Sequence, residues 1–169
     1  MTTFSQLVKF GALLALSGAA SALATPFKVE LSAADPALTC GSTSTPTLTF
    51  SGTQPKGTKG LALIFWDEQP GALSGRWLVY DLPMSSTKLA SGTASSLSIG
   101  GGKVAKNEAG QPGYTAICAK GHHDIYIDFY ALDVASLKLP AGTPLQTLHA
   151  AIKRHKLLEA KAHQTWQVK

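Results

Sequence analysis

The sequence predicts a mainly β protein, an antiparallel β-sandwich with one C-terminal helix, and three observations carry that prediction. Short segments alternating apolar and polar residues recur from Phe27 to Asp133, each bounded by Gly, Pro, Ser or Asp. No sustained 3.6-residue period appears before Pro140. Beyond it lies one amphipathic stretch, so strands and helices do not alternate as they do in parallel βαβ folds. Of the 169 residues 44% are apolar, with 16 Gly and 9 Pro, which supplies a core and excludes collagen-like and low-complexity classes.

Phe27-Lys-Val-Glu-Leu-Ser alternates with period two, as a half-buried strand does. Gly41 to Pro46 is a loop by composition, Thr47-Leu-Thr-Phe50 a second alternating strand, and Gln54-Pro-Lys-Gly57 a turn. Leu61-Ala-Leu-Ile-Phe-Trp66 is apolar throughout, which predicts a central strand covered on both faces. Asp67 to Gly71 is expected to break it, and Arg76 to Leu82 supplies the next strand before Pro83. Residues 84–113, rich in Ser, Gly, Thr and Lys, are expected to form one long connection. Ile125 to Asp133, dense in aromatic and β-branched residues, predicts a core strand. Thr143-Pro144 then opens a helix, with Thr143 as cap and Pro144 in the first turn. Its apolar stripe is expected to run through Leu145, Leu148, Ile152, His155 and Ala162, with a closing strand over Thr165 to Val168.

Residues 1–24 carry one cation, Lys9, then an apolar run from Phe10 to Ala20 and Ala22-Leu23-Ala24 ahead of Thr25-Pro26. That is the pattern of a secretory signal peptide cleaved after Ala24, and the run is short of the ~20 residues a membrane span needs. The expectation is a domain over 25–169 in the periplasm or secreted. In such an oxidising compartment the two cysteines, Cys40 and Cys118, tend to pair, the alternative being two separately buried thiols.

Few chemical motifs appear. Gly100-Gly-Gly102-Lys103 lacks the spacing of a phosphate loop and is read as a flexible loop. No nucleophile elbow is present, and nothing identifies a nucleophile–base pair, so no enzyme activity, catalytic residue or cofactor is expected. His122 and His123, adjacent on a strand, point to opposite faces, and no compact zinc-type spacing occurs, so no metal site is expected. Lys153-Arg-His-Lys156 is read as a solvated helix face, since no pattern of stacking aromatics among cations points to nucleic acid. The net charge of +5 falls by one with Lys9, too little to argue for a polyanionic partner.

The order of segments resembles the phosphatidylethanolamine-binding protein family, in its bacterial Raf-kinase-inhibitor-like branch, from about Phe27 to Trp166. Thr39-Cys40-Gly41 with Pro46 to Phe50, Lys56 to Leu63, Asn107 to Tyr114, Cys118 to His123 and Tyr130-Ala-Leu-Asp133 follow the family's order. Arg76-Trp-Leu-Val-Tyr-Asp-Leu-Pro83 is the most specific match, similar to His-Trp-Val-Val-Tyr-Asn-Ile-Pro. The resemblance implies a small pocket for a phosphate or similar head group. It is lined by an Asp-Pro-Asp-x-Pro loop, the His before Trp, a Gly-Pro-Cys-Pro-Pro segment and a later His.

In an ungapped register Trp66 takes the place of the loop's first Asp and Glu68 of its second, with Asp67 one position away as the alternative carboxylate. Arg76 replaces the first His, Cys118 alone remains of Gly-Pro-Cys-Pro-Pro, and His123 keeps the second His, two residues after Gly121. The ligand-binding set implied is Asp67, Glu68, Arg76, Gly121 and His123, with Trp66 and Trp77 as apolar lining. Arg for His retains anion binding, because guanidinium is always charged and grips an oxyanion with two parallel bonds. The expected function is non-enzymatic binding of a small anionic or zwitterionic ligand such as a phospholipid head group. The alternative is a protein-interaction or inhibitor module that uses residues 84–113, with a vestigial pocket.

Overall fold

Strand β3 (Gly60–Gln69) is apolar on both faces because a layer lies on each side of it. The structure, a computed structural model, describes residues 25–32 and 35–169; the expected leader, residues 1–24, lies outside the described residues. In chain order the elements are β1 (Lys28–Leu31), a 3-10 turn (Pro36–Leu38), β2 (Leu48–Ser51), β3 and β4 (Ala72–Pro83). Then come β5 (Lys88–Leu89), β6 (Ser98–Ile99), β7 (Gly102–Val104), β8 (Gly121–Leu132), α1 (Leu145–His155) and β9 (Lys156–Val168). They build a three-stranded sheet, β1-β2-β5, and a six-stranded sheet, β6-β7-β4-β3-β8-β9, with antiparallel pairing throughout.

Two cores follow from the period of two. Leu61, Leu63 and Phe65 of β3 join Trp77, Val79, Ile125, Ile127 and Phe129 against the small sheet, where Phe27 and Phe50 both stack on Phe129. Ala62, Ile64 and Trp66 point the other way and meet Leu145, Leu148 and Ile152 of α1. Each large side chain wholly buried in this way contributes about 1.5–3 kcal/mol relative to exposure. No helix among the described residues is long and apolar enough to cross a membrane.

The predicted fold class is the observed one, and several boundaries move. β3 does not break at Asp67 but runs to Gln69, and the turn is Pro70-Gly71 alone, with Gly71 at φ +80 as a type II turn requires. Residues 84–113 are not one open connection: β5 pairs with β2, and β6 and β7 form a hairpin against β4. The turn of that hairpin is Gly100-Gly101, both with positive φ, so the glycines serve a tight type I′ turn and not a flexible loop. The helix ends at His155 and Ala162 belongs to β9, whose Ala160, Ala162, Trp166 and Val168 pack inward at period two. The long β8 edge takes β9 as its partner from Gly121 to Leu132, and that pairing overrides the helical pattern. Pro144 stands at the N-cap with no side-chain cap bond, so Thr143 does not cap the helix.

Candidate functional site

The inward row of β3 continues past Phe65 to Asp67, and the inward row of β8 begins at His123, ahead of Ile125. Both side chains are therefore driven into the inter-sheet space, where Asp67 is 2% and His123 0% exposed. Arg76 reaches them by a different device. Trp66 pairs with Gly75 and Phe65 with Trp77, so Arg76 is the extra residue of a β-bulge, which re-aims its side chain. The backbone carbonyls of Gly75 and Arg76 at this bulge accept from Glu108 N and Thr115 N of the following loop.

These three side chains form one hydrogen-bonded cluster. Asp67 Oδ2 accepts from Arg76 Nη2 at 2.6 Å and Nε at 3.1 Å, and Asp67 Oδ1 lies 2.6 Å from His123 Nδ1. His123 Nε2 lies 2.7 Å from the Ala119 carbonyl and 3.1 Å from Gln69 Nε2. One oxygen thus lies within hydrogen-bond distance of each ring nitrogen, Asp67 Oδ1 at Nδ1 and the Ala119 carbonyl at Nε2. Cys118, next to Ala119, is bonded to Cys40, with Cα atoms 4.5 Å apart, so the disulfide ties down the backbone that supplies this carbonyl. Of the two readings open for the cysteines, the bonded one is observed.

Arg76 is the cluster's outlet. Its side chain is 22% exposed, against 1% for Asp67 and 0% for His123. It lines a cavity of about 240 Å³ together with Ser74, Asn107, Glu108 and Thr115. Asn107 is buried and shapes that wall: its Nδ2 donates to Thr115 Oγ1 at 2.6 Å and its Oδ1 accepts from Gln111 N at 3.1 Å. Tyr114, whose hydroxyl donates to the Ala37 carbonyl, backs the cluster; burial first and Asp35 second push its pKa up, while Arg76 opposes them.

The structure brings Asp67, Arg76 and His123 together and leaves two predicted residues apart. Glu68 lies on the opposite face of β3 from Asp67 and lines a cavity there with Trp66 and Tyr126. Gly121 opens β8 opposite Val168, at the strand end beyond His123. The ungapped register is corrected at Trp66, which faces α1 and donates through Nε1 to Asp128 Oδ2 at 2.8 Å. Asp67 is the carboxylate that meets Arg76 and His123. Trp77 is wholly buried between the sheets, so neither tryptophan lines the Arg76 cavity. Sequence reasoning misses Asn107, Glu108 and Thr115; the Asn107 to Tyr114 match signals the first two, and nothing in the sequence signals Thr115.

Two packed antiparallel sheets, with a buried carboxylate holding an arginine at a cavity mouth, place the chain in the class of antiparallel β-sandwich proteins. The family model described as phosphatidylethanolamine-binding protein matches residues 21–167, and the chain belongs to that family. A UPF0098 protein of Aquifex aeolicus (strain VF5) is 31% identical over 113 residues, covering 64% of this chain and 65% of that relative's length. The crystal structure of E. coli YbcL, described as a new member of the mammalian PEBP family, superposes with a TM-score of 0.65 at 21% identity. It covers 85% of this chain and 99% of that one and shares its fold. The family fold is that of a ligand-binding protein.

Proposed function

We propose that the protein is an exported, non-enzymatic binding protein that holds a small anionic or zwitterionic group, of phosphate or phosphoethanolamine type, at Arg76. The observation that carries this reading is the asymmetry of the guanidinium. Nε and Nη2 are held by Asp67, which fixes its plane, while the group remains partly open to a cavity of about 240 Å³. A planar cation oriented in advance loses little freedom on gripping an oxyanion. The exposed Glu108 on the same cavity offers a carboxylate for the ammonium of a zwitterion. The volume suits a head group rather than an acyl chain.

The absence of catalysis is part of the proposal. Asp67 has both oxygens engaged and His123 is wholly buried, which keeps the one carboxylate–imidazole pair of the cluster from a substrate. Export is supported by the leader pattern of residues 1–24 and by a disulfide of the kind that persists in oxidising compartments. Calorimetry with inorganic phosphate and with phosphoethanolamine tests the site. Arg76→Ala is expected to abolish both heats, and Glu108→Gln to weaken phosphoethanolamine while sparing phosphate. Equal phosphate affinity in the protein and in Arg76→Ala defeats the assignment.

A further inference from the structure

The face of the six-stranded sheet that carries α1 is only half covered. Leu145, Leu148 and Ile152 of the helix pack with Ala62, Ile64, Trp66, Leu78 and Tyr80 of β3 and β4 and with Tyr130 and Leu132 near the end of β8. Beside this packing, over the rest of β8 and β9, lies a trough of about 410 Å³, within the usual range of small-molecule sites. Register determines what stands in it. Tyr126 and Tyr130 of β8 point into it, Asp128 lies between them, and Lys161 and Glu159 are their neighbours on β9. Tyr126, stacked on His163, is the most exposed ring of the floor, with Trp66 and Tyr130 largely buried beside it, and the alternation that sends Asp67 inward sends Glu68 here.

The polar groups are organised around one buried carboxylate. Asp128 Oδ2 accepts from Trp66 Nε1 at 2.8 Å and Tyr130 OH at 3.3 Å, and Oδ1 pairs with Lys161 Nζ at 2.8 Å. Lys161 also reaches Glu159 at 2.8 Å, and Glu159 holds Lys156, whose ammonium lies 6.0 Å from the Tyr130 ring centre. Lys153 completes three cations facing three carboxylates, Glu68, Asp128 and Glu159. The signs are interleaved rather than separated. A net anion meets the carboxylates, a net cation meets the lysines, and a zwitterion finds no segregated pair of poles. A polyhydroxylated ring suits all of it: each hydroxyl both donates to a carboxylate and accepts from an ammonium, and its C–H face lies on the aromatic floor. His149, held low by burial and then by Lys153, adds a neutral ring at the helix wall.

We infer that this trough is a second ligand site, for a neutral saccharide of one or two rings, separate from the Arg76 cavity on the other face of the sheet. The test is amide-resolved nuclear magnetic resonance titration of the protein with maltose, cellobiose and N,N′-diacetylchitobiose at millimolar concentration. At least one is expected to shift Tyr126, Tyr130 and Lys161 saturably, with the shifts unchanged by excess inorganic phosphate. Tyr126→Ala is expected to weaken the binding about tenfold, the size of one aromatic contact of about 1.4 kcal/mol. Lys153→Ala, at an exposed helix position, is expected to weaken it severalfold and carries the test if Tyr126→Ala fails to fold. The inference is overturned if none of the three sugars gives saturable shifts there, or if the surviving variants bind as the protein does. It is overturned equally if glucose 6-phosphate or choline binds the trough more tightly than every neutral sugar. Failure of phosphate to bind at Arg76 leaves these outcomes untouched and counts against the proposed function alone.

Discussion

Asp67 satisfies two basic side chains at once, one carboxylate oxygen for each, and no other acidic residue contacts Arg76 or His123 among the described residues. Asp67→Asn is expected to cost about 3 kcal/mol, because it removes the counter-charge of the largely buried Arg76 guanidinium; urea denaturation followed by tryptophan fluorescence measures it. Arg76→Ala, which removes the most exposed of the three, should cost less. All four tyrosines are held above their ordinary pKa of 10, Tyr80 at about 12, with burial the first cause and Asp81, Asp35, Glu68 and Asp128 adding to it at Tyr80, Tyr114, Tyr126 and Tyr130. Between pH 10 and 12 the unfolded chain releases the Tyr80 proton while the folded one retains it. The stability contributed by the neutral ring is therefore full below pH 10 and is lost as pH rises through about 12. Ultraviolet titration should show no native tyrosinate step near pH 10 and a full step there in denaturant. At this scale the neighbours of Arg76 and His123 in sequence marked both as candidates, and the structure brings them together at Asp67. The choice between Trp66 and Asp67 was not, because it depends on which side of the sheet each one faces.

Among the elements, those written in a period of two or in an unbroken apolar run were legible: β2, β3, β4 and β8 each overlap the segment so marked, though β3, β4 and β8 extend beyond it. The end of α1 was not. Ala162 falls near the helical stripe in sequence, and the 12-residue β8 edge that claims residues 156–168 as a strand is a long-range demand. The bulge at Arg76 was equally hidden, since an extra residue is defined only against its partner strand. Loop 107–115, the wall of the Arg76 cavity, is held by its hydrogen bonds to the β4 bulge and by one close approach. Gly113, at φ +95, lies so near Ala94 that an added Cβ would fall 1.9 Å from its carbonyl oxygen, while Tyr114 N donates to that same oxygen at 2.7 Å. Gly113→Ala is expected to destabilise by about 3 kcal/mol. Gly110→Ala in the same loop, at φ +75 with open space around it, should cost only about 1 kcal/mol. Thermal melting of the two variants side by side separates backbone conformation from contact.

At the scale of the whole molecule the six-stranded sheet is a partition with ionisable residues on both sides. Asp67, Arg76 and His123 lie on one face, and Glu68, Asp128 and Glu159 with their lysines on the other. Composition and segment order made the sandwich legible, but alternation alone does not say which neighbour of a carboxylate pair enters which layer. The Cys40–Cys118 bond serves only one side of that partition. It joins the connection that follows the 3-10 turn to the segment leading into β8, across 78 positions. On the chain-entropy argument it stabilises the fold by about 4 kcal/mol, so a Cys40→Ser, Cys118→Ser double variant should lose that much in urea unfolding. Its functional consequence should be one-sided. Freeing Cys118 loosens the Ala119 carbonyl that holds His123 Nε2, and through His123 and Asp67 the orientation of Arg76. Under conditions where the double variant remains folded, phosphate affinity should fall several-fold. Amide shifts of Tyr126, Asp128 and Lys161, beyond the sheet and away from the bond, should stay where they are in the oxidised protein. Equal perturbation of both faces would mean that the sheet transmits strain between them and that the two sites are not independent.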